Sequence, residues 1–127
     1  MSAFLRSVPF IPSPFHRAPD GKLDAQAKRG EAIFKKAGCA GCHPSPLYTD
    51  LQAYDVGTYV PRDYPENKPF DTPTLKEVYR TAPYLHDGRA ATLKGVVTGF
   101  NAKDEHGNTS KLSEKEIDDL VAFLMAL

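Results

Sequence analysis

The sequence predicts a small all-α domain with long loops, and three observations support this fold class. Apolar residues recur at helical spacing in one stretch near residue 30 and in another at the carboxyl end. The chain contains eleven prolines and nine glycines, and many of them lie in residues 8–21 and 57–73, which therefore read as irregular chain. No stretch of useful length alternates apolar and polar residues as a half-buried strand would.

The first helix is predicted over residues 24–36, with Asp24 as its N-cap and Gly38 as its stop. Its apolar positions are three or four residues apart and form one stripe, at Leu23, Ala27, Gly30, Phe34 and Ala37. Gly30 lowers helix propensity by about 1 kcal/mol relative to alanine. Two interpretations of Gly30 stay open, a close approach of another helix or a tolerated glycine.

The helix at the carboxyl end is the clearest element of the sequence. Ser113 and Glu116 form a capping-box pattern, and the apolar residues that follow share one face through to the end of the chain. These apolar residues are Ile117, Leu120, Val121 and Leu124. Two short helices are predicted earlier, over residues 74–80 and 92–100, and residues 44–73 form a long connection.

Composition limits the classes of function. Lys+Arg and Asp+Glu number 16 each, so the net charge is zero and neither nucleic-acid nor anionic-membrane binding is predicted. No apolar stretch approaches the roughly 20 residues of a transmembrane segment. Residues 1–22 do not read as a signal peptide, because Arg6 and several prolines interrupt the apolar run. We expect residues 1–22 to be a Pro-rich extension or linker and residues 23–127 to be the domain.

The only two cysteines, Cys39 and Cys42, are separated by two residues, and His43 follows directly. A thioredoxin-like redox pair would need a βαβ pattern, and a structural zinc site would need two more ligands at similar spacing. C-x-x-C-H is the signature of covalent haem attachment, in which both thiols bond one porphyrin edge and the histidine binds iron. The sequence therefore predicts one covalent haem c with His43 as proximal ligand, and a disulfide or a zinc site remains the alternative.

Two stretches of the chain resemble known haem proteins. Residues 29–43, RGEAIFKKAGCAGCH, are similar to the first helix and haem motif of class I cytochromes c. Residues 72–76, TPTLK, and 81–88, TAPYLHDG, resemble the C-terminal haem domain of the bacterial di-haem cytochrome c peroxidase family, which includes the methylamine-utilisation di-haem enzyme. The resemblance covers about residues 24–127.

The resemblance implies a class I cytochrome c fold with an enlarged loop beneath one haem, in a periplasmic or otherwise extracytoplasmic setting. In the peroxidases, carbonyls of the T-A-P turn help to hold a calcium ion between two haem domains, and Thr81 and Pro83 match those positions. His86 matches a histidine that persists in the family whichever residue ligates the iron. The resemblance therefore implies that His86 supports the haem pocket by hydrogen bonding.

The distal side of the iron is where the chain departs most from the family. The family's sixth ligand stands at the end of the helix after the HDG motif, and the matching residue here is Phe100, which cannot ligate. His106 lies in the polar loop that follows and is the candidate distal ligand, with an open or water-bound iron as the alternative. We expect Met125, in the last helix, to be a packing residue.

Arginine and tyrosine side chains are further candidates for contact with the haem. Arg89 adjoins the HDG turn and Arg80 precedes it, and a guanidinium matches the geometry of a propionate carboxylate. Tyr84, Tyr48 and Tyr54 are candidates to cover the ring or to bond a propionate. Packing in the core is an equal alternative for these aromatic residues.

A single haem motif favours an electron-transfer domain over an autonomous peroxidase, because the peroxidases that the chain resembles use two haems. An iron with both axial positions filled passes one electron and does not readily bind a substrate. The alternative is a peroxidase-like enzyme or ligand-binding domain with an open or weakly ligated iron, and a third possibility is a non-redox zinc or disulfide module. We expect the partner to be a redox protein or another domain of a longer parent chain.

Overall fold

Helices dominate the regular part of the fold in the computed structural model of the chain, which describes residues 4, 7, 8, 11–60 and 69–127. The α-helices that frame the site are α1 (Ala25–Lys36), α2 (Leu93–Val97) and α3 (Glu114–Met125). Single 3₁₀ turns occupy Cys39–Gly41 and Val78–Arg80. Strand β1 (Ala53–Tyr54) pairs antiparallel with β2 (Phe70–Asp71).

Both long helices begin where the sequence predicts. The Asp24 carboxylate accepts a hydrogen bond from the Ala27 N–H at 2.8 Å, and Gly38 turns the chain out of α1 with a φ of 84°. Ser113 and Glu116 form the reciprocal capping box at the start of α3. The predicted helices and caps are therefore confirmed at these two positions.

The two long helices pack on each other at Gly30. A Cβ atom at this position would lie 1.9 Å from the carbonyl oxygen of Asp119 and 2.7 Å from the Cβ of Phe123. Because these distances are far inside van der Waals contact, no side chain larger than hydrogen fits here. Of the two interpretations of Gly30, the close approach of another helix is the correct one.

An ion pair between the exposed Arg29 side chain and the buried Asp119 carboxylate joins the same two helices beside this contact. The Arg29 guanidinium donates two hydrogen bonds of 2.8 Å to the carboxylate of Asp119, which is 3% exposed, and Lys115 adds a third at 3.0 Å. These hydrogen bonds lower the pKa of Asp119 to about 2, and the one from Arg29 has the largest effect. The contact between α1 and α3 therefore combines a close backbone approach with an ion pair.

We expect Asp119→Asn to destabilise the domain in a pH-dependent way. A carboxyl whose pKa is lower in the folded state stabilises the fold above its unfolded pKa of about 3.9, and this contribution disappears as the pH falls towards 2. Urea unfolding at pH 7 should show a clear loss relative to the wild type, and the difference should shrink steadily between pH 5 and 2. Glu114→Gln, at an exposed position, is the control; an equal loss for that variant would contradict the prediction.

The apolar core lies between the long helices and α2. Phe34 and Phe123 meet edge to face with ring centroids 5.2 Å apart, and Tyr48 packs against both rings. The buried core residues are Ile33, Phe34, Val78, Leu93, Val97, Ile117, Leu120, Phe123, Leu124 and Leu127. Met125 packs against this cluster, as its position in the sequence predicts.

The middle of the chain is less helical than its sequence predicts. The helix expected over 74–80 is reduced to the 3₁₀ turn, because Glu77 has a φ of 59° and interrupts any α-helical run before it. The helix expected over 92–100 ends at Val97. The β1–β2 pair was not predicted, since two residues per strand are too few to show an alternating pattern.

Ser13 and Arg17, in the segment before α1, contact the carboxyl end of α3. The hydroxyl of Ser13 donates to the Met125 carbonyl at 2.5 Å, and Arg17 donates to the Ala126 carbonyl at 2.6 Å. These contacts satisfy carbonyl groups that a helix end leaves without intrahelical partners. Among the described residues, no helix is both long and apolar enough to cross a membrane.

Candidate functional site: a haem cavity between two histidines

The C-x-x-C-H motif forms a tight turn directly after α1. Cys39 begins the 3₁₀ turn, Cys42 follows it, and the His43 N–H donates to the Cys39 carbonyl at 2.9 Å. Both thiols are free and half-buried, and both line one cavity. The turn therefore presents two sulfur atoms and an imidazole to the same space.

His43 is held by a hydrogen bond to the backbone. Its Nδ1 lies 2.9 Å from the carbonyl oxygen of Tyr48, and because a carbonyl only accepts, Nδ1 carries the proton. The residue is buried, at 8% exposure. A histidine fixed in this tautomer has Nε2 available for a metal, and a carbonyl partner on the other nitrogen is typical of metal-ligating histidines.

The cavity has a volume of about 570 Å³ and is lined mainly by apolar side chains. Its floor comes from the core, and its outer wall comes from the segments around β1 and β2. Apolar lining residues include Phe34, Val56, Phe70, Leu75, Leu93, Val97, Leu120 and Leu124. Volume and lining are those of a site for a large apolar cofactor.

His106 lies across from His43 at the edge of this cavity. The centroids of the two imidazole rings are 6.4 Å apart. Two imidazoles on opposite sides of one metal atom would have centroids about 6 Å apart, because each metal–nitrogen bond is about 2 Å long and the nitrogen lies about 1 Å from its ring centre. The spacing of the two histidines therefore fits a shared iron atom, and the cavity between them fits a haem.

Burial alters the ionisation of two groups at this site. The pKa of His106 is lowered mainly by its burial away from water and, to a smaller extent, by the charge of His43. Burial raises the pKa of the Cys39 thiol to about 11. The site therefore favours a neutral imidazole and an un-ionised thiol while no cofactor is attached.

A sequence profile decides the family. The profile of the cytochrome c family matches residues 27–127, which include the C-x-x-C-H turn, His43 and His106, most of α1, and all of α2 and α3. The chain belongs to the cytochrome c family. Covalently bound haem c is the cofactor of this family, in agreement with the motif and the cavity.

Relatives of this cytochrome c domain are considerably longer proteins. The chain is 36% identical to hydrazine synthase subunit gamma of Kuenenia stuttgartiensis, over 98% of the chain and 47% of that subunit. It is 32% identical to the methylamine utilization protein MauG of Methylorubrum extorquens, over 100% of the chain and 42% of that protein. The chain thus spans less than half the length of these relatives.

A solved structure supports the same assignment. The structure of Kuenenia stuttgartiensis hydrazine synthase pressurized with xenon superposes with a TM-score of 0.83 at 35% identity, over 98% of this chain and 52% of that one. MauG proteins and cytochrome-c peroxidases are among the relatives. The resemblance to a haem domain of the di-haem peroxidase family is therefore confirmed.

Tyr84 and His86 of the cytochrome c domain both line the cavity. The Tyr84 hydroxyl donates to the Val78 carbonyl at 3.0 Å, and burial raises the pKa of this tyrosine. His86 stacks on Phe70 with ring centroids 4.2 Å apart. Contacts of Tyr84 and His86 with haem stay predictions. The position of both side chains at the cavity wall is compatible with such contacts.

The two candidate propionate ligands make ion pairs with neighbouring carboxylates. Arg89 pairs with Asp87 through Nε at 2.6 Å, which lowers the pKa of Asp87 to about 2, and Arg80 pairs with Glu77. Neither arginine is among the residues that line the cavity. A propionate contact by Arg89 stays a prediction. It would require the Arg89 guanidinium to bind a propionate and the Asp87 carboxylate at the same time.

The calcium prediction concerns an exposed turn. Thr81 and Pro83 are exposed and lie at the cavity rim. Within residues 11–60 and 69–127, no three His, Cys, Asp or Glu side chains form a group that could hold a metal ion. Calcium at the carbonyls of Thr81 and Pro83 stays a prediction.

Phe100, which the resemblance matches to the family's ligand position, is 37% exposed and is not among the residues that line the cavity. Sequence reasoning missed two groups that shape the site, the Tyr48 carbonyl and the side chain of Asn101. Asparagine favours turns because its side chain bonds nearby backbone, so Asn101 five residues before His106 carried a usable signal. No side-chain pattern marks a carbonyl acceptor such as Tyr48.

Proposed function

We propose that this cytochrome c domain transfers single electrons through one covalently bound haem c, whose iron His43 and His106 would ligate. The observation that carries the proposal is the 6.4 Å spacing of the two imidazoles at one apolar cavity beside the attachment motif. Haem supplies a one-electron couple at its iron, and a bis-histidine pair favours a low reduction potential relative to histidine–methionine. No residue is required to act as an acid or a base.

The residues of the chain have distinct tasks in this proposal. The thiols of Cys39 and Cys42 attach the cofactor, and the Tyr48 carbonyl keeps the proton of His43 on Nδ1. His106 would be the second protein ligand of the iron and would so exclude small exogenous ligands. The apolar walls limit the access of water to the haem. This lowers the reorganisation energy of electron transfer and adjusts the reduction potential.

A partner that delivers or receives the electron is part of the proposal. Because the relatives are more than twice as long as the aligned chain, the partner is either a separate redox protein or another domain of a longer parent chain. Attachment of haem through C-x-x-C-H is a process of extracytoplasmic proteins, so we place the domain in the periplasm or a comparable compartment.

Replacing His106 with alanine tests this function. We expect the wild-type protein to show a low-spin ferric spectrum and a ferrous form that binds CO only slowly, because His106 would have to leave the iron first. His106→Ala should become high-spin and bind CO readily. Electron paramagnetic resonance and CO titration monitored at the Soret band measure both properties.

His16→Ala serves as the matched control, since His16 is bonded to Asp24 away from the cavity and should leave the spectrum unchanged. A wild-type iron that is high-spin and binds CO or peroxide would refute the electron-transfer proposal. That result would favour the peroxidase-like or ligand-binding alternative, in which the distal position is open.

A further inference from the structure

A buried asparagine holds the loop that carries His106. Asn101 is 3% exposed, and its side chain bonds the peptide groups on both sides of His106. Its Oδ1 accepts the His106 N–H at 2.7 Å, and its Nδ2 donates to the His106 carbonyl at 3.1 Å. Because one side chain holds both the donor and the acceptor of His106, it restrains the backbone angles that aim the imidazole.

The amide of Asn101 is itself anchored to the end of α2. Nδ2 also donates to the Gly107 carbonyl and to the Thr109 hydroxyl, each at 2.7 Å. The hydroxyl of Thr109, which is 5% exposed, donates to the Val97 carbonyl at 2.7 Å. Two amide hydrogens thus serve three acceptors, and the network connects the His106 loop to a helix end.

The far side of the loop is fixed against the haem-attachment motif. Gly107 has a φ of 86°, and a Cβ there would lie 3.4 Å from the sulfur of Cys39. The Asn108 N–H donates to the Ala37 carbonyl at 2.8 Å. The loop is therefore held at α2 by Asn101 and at the end of α1 by its own backbone, with His106 between the two attachments.

We propose that Asn101 is the positioning residue for the distal ligand, and that its buried amide keeps the His106 imidazole directed at the iron. The inference rests on the proposed function, because it requires His106 to be a ligand. Without the amide, the polar loop loses the contacts that select one conformation, and His106 leaves the iron for a larger fraction of the time. A vacated axial position accepts an exogenous ligand.

Asn101→Asp is the variant that tests this role, because it keeps the shape of the side chain and replaces the donor by an acceptor. We expect CO to bind the ferrous holoprotein at least about tenfold faster than in the wild type, which corresponds to about 1.4 kcal/mol in the detachment of His106. The ferric protein should contain a larger high-spin fraction. Added imidazole should restore the low-spin spectrum, and a far-ultraviolet circular dichroism spectrum equal to that of the wild type should distinguish detachment of His106 from a general loss of structure.

Ser110→Ala is the control. The Ser110 hydroxyl donates to the Asp104 carboxylate in the same loop, and its removal should leave CO binding unchanged. Thr109→Val, paired with Thr109→Ser, removes one acceptor of the same amide and is the second variant if Asn101→Asp does not mature. We expect Thr109→Val to raise the CO rate and Thr109→Ser to leave it at the wild-type value.

The possible outcomes distinguish failure of the positioning role of Asn101 from failure of the proposed function. If His106→Ala opens the iron but Asn101→Asp and Thr109→Val bind CO at the wild-type rate, the positioning role is wrong and the proposed function stands. If His106→Ala leaves the wild-type low-spin spectrum intact, His106 is not a ligand, and the proposed axial pair fails together with this inference.

Discussion

Removal of both attachment thiols is expected to abolish covalent haem binding and with it the stable fold. In Cys39→Ala/Cys42→Ala no sulfur remains to form a thioether, and the cavity of about 570 Å³ loses its permanent occupant. Exposing the apolar walls of this cavity to water would cost on the order of 5 kcal/mol, which is comparable with the whole stability of a small domain. We therefore expect the double variant to be a loosely packed helical chain.

Intact mass after denaturation measures the attachment, and near-ultraviolet circular dichroism with dye binding measures the packing. The protein should be produced together with a c-type haem maturation system. Ala40→Ser is the matched control, because it lies between the two cysteines and leaves C-x-x-C-H intact. A wild-type chain without added mass under these conditions would refute the haem assignment, and a rigid, native-like double variant would refute the cavity argument.

Gly30→Ala is expected to destabilise the holoprotein by about 2 kcal/mol or more. In an isolated helix the change would be favourable by about 1 kcal/mol. Here the new methyl group would meet the Asp119 carbonyl oxygen at 1.9 Å, so the two long helices must separate. Overpacking of a tight contact typically costs about 1–3 kcal/mol, and a backbone atom cannot rotate away as a side chain can.

Chemical denaturation of the holoprotein, followed by circular dichroism at 222 nm, measures this loss. Gly41→Ala adds the same methyl group where, among the described residues and apart from its chain neighbours, no atom lies within 4 Å of the new Cβ, and it should cost much less. The separation of the helices should also weaken the Arg29–Asp119 ion pair. Equal stability of Gly30→Ala and the wild type would show that the helices are not in the close contact described.

Local patterns in the sequence were sufficient to predict those elements that are stabilised by residues close together in the chain. The capping box of Ser113, the N-cap of Asp24 and the helical stripes predict α1 and α3, because caps and periodicity act within a few residues. The attachment motif is equally local, since both thiols and the proximal imidazole lie within five consecutive residues. For the same reason the short helix over 74–80 was overestimated, because periodicity does not reveal the left-handed conformation of Glu77.

By itself, the sequence determined the helical class, the two long helices and the cysteine–histidine motif, because each depends on neighbours along the chain. The tertiary structure alone decided which interpretation of Gly30 is correct and which residue faces His43. Gly30 contacts a helix about ninety residues away in the chain, and His106 is brought across from His43 by a loop held through Asn101. Contacts between distant parts of the chain leave no periodic pattern in the sequence, so only the folded chain shows them.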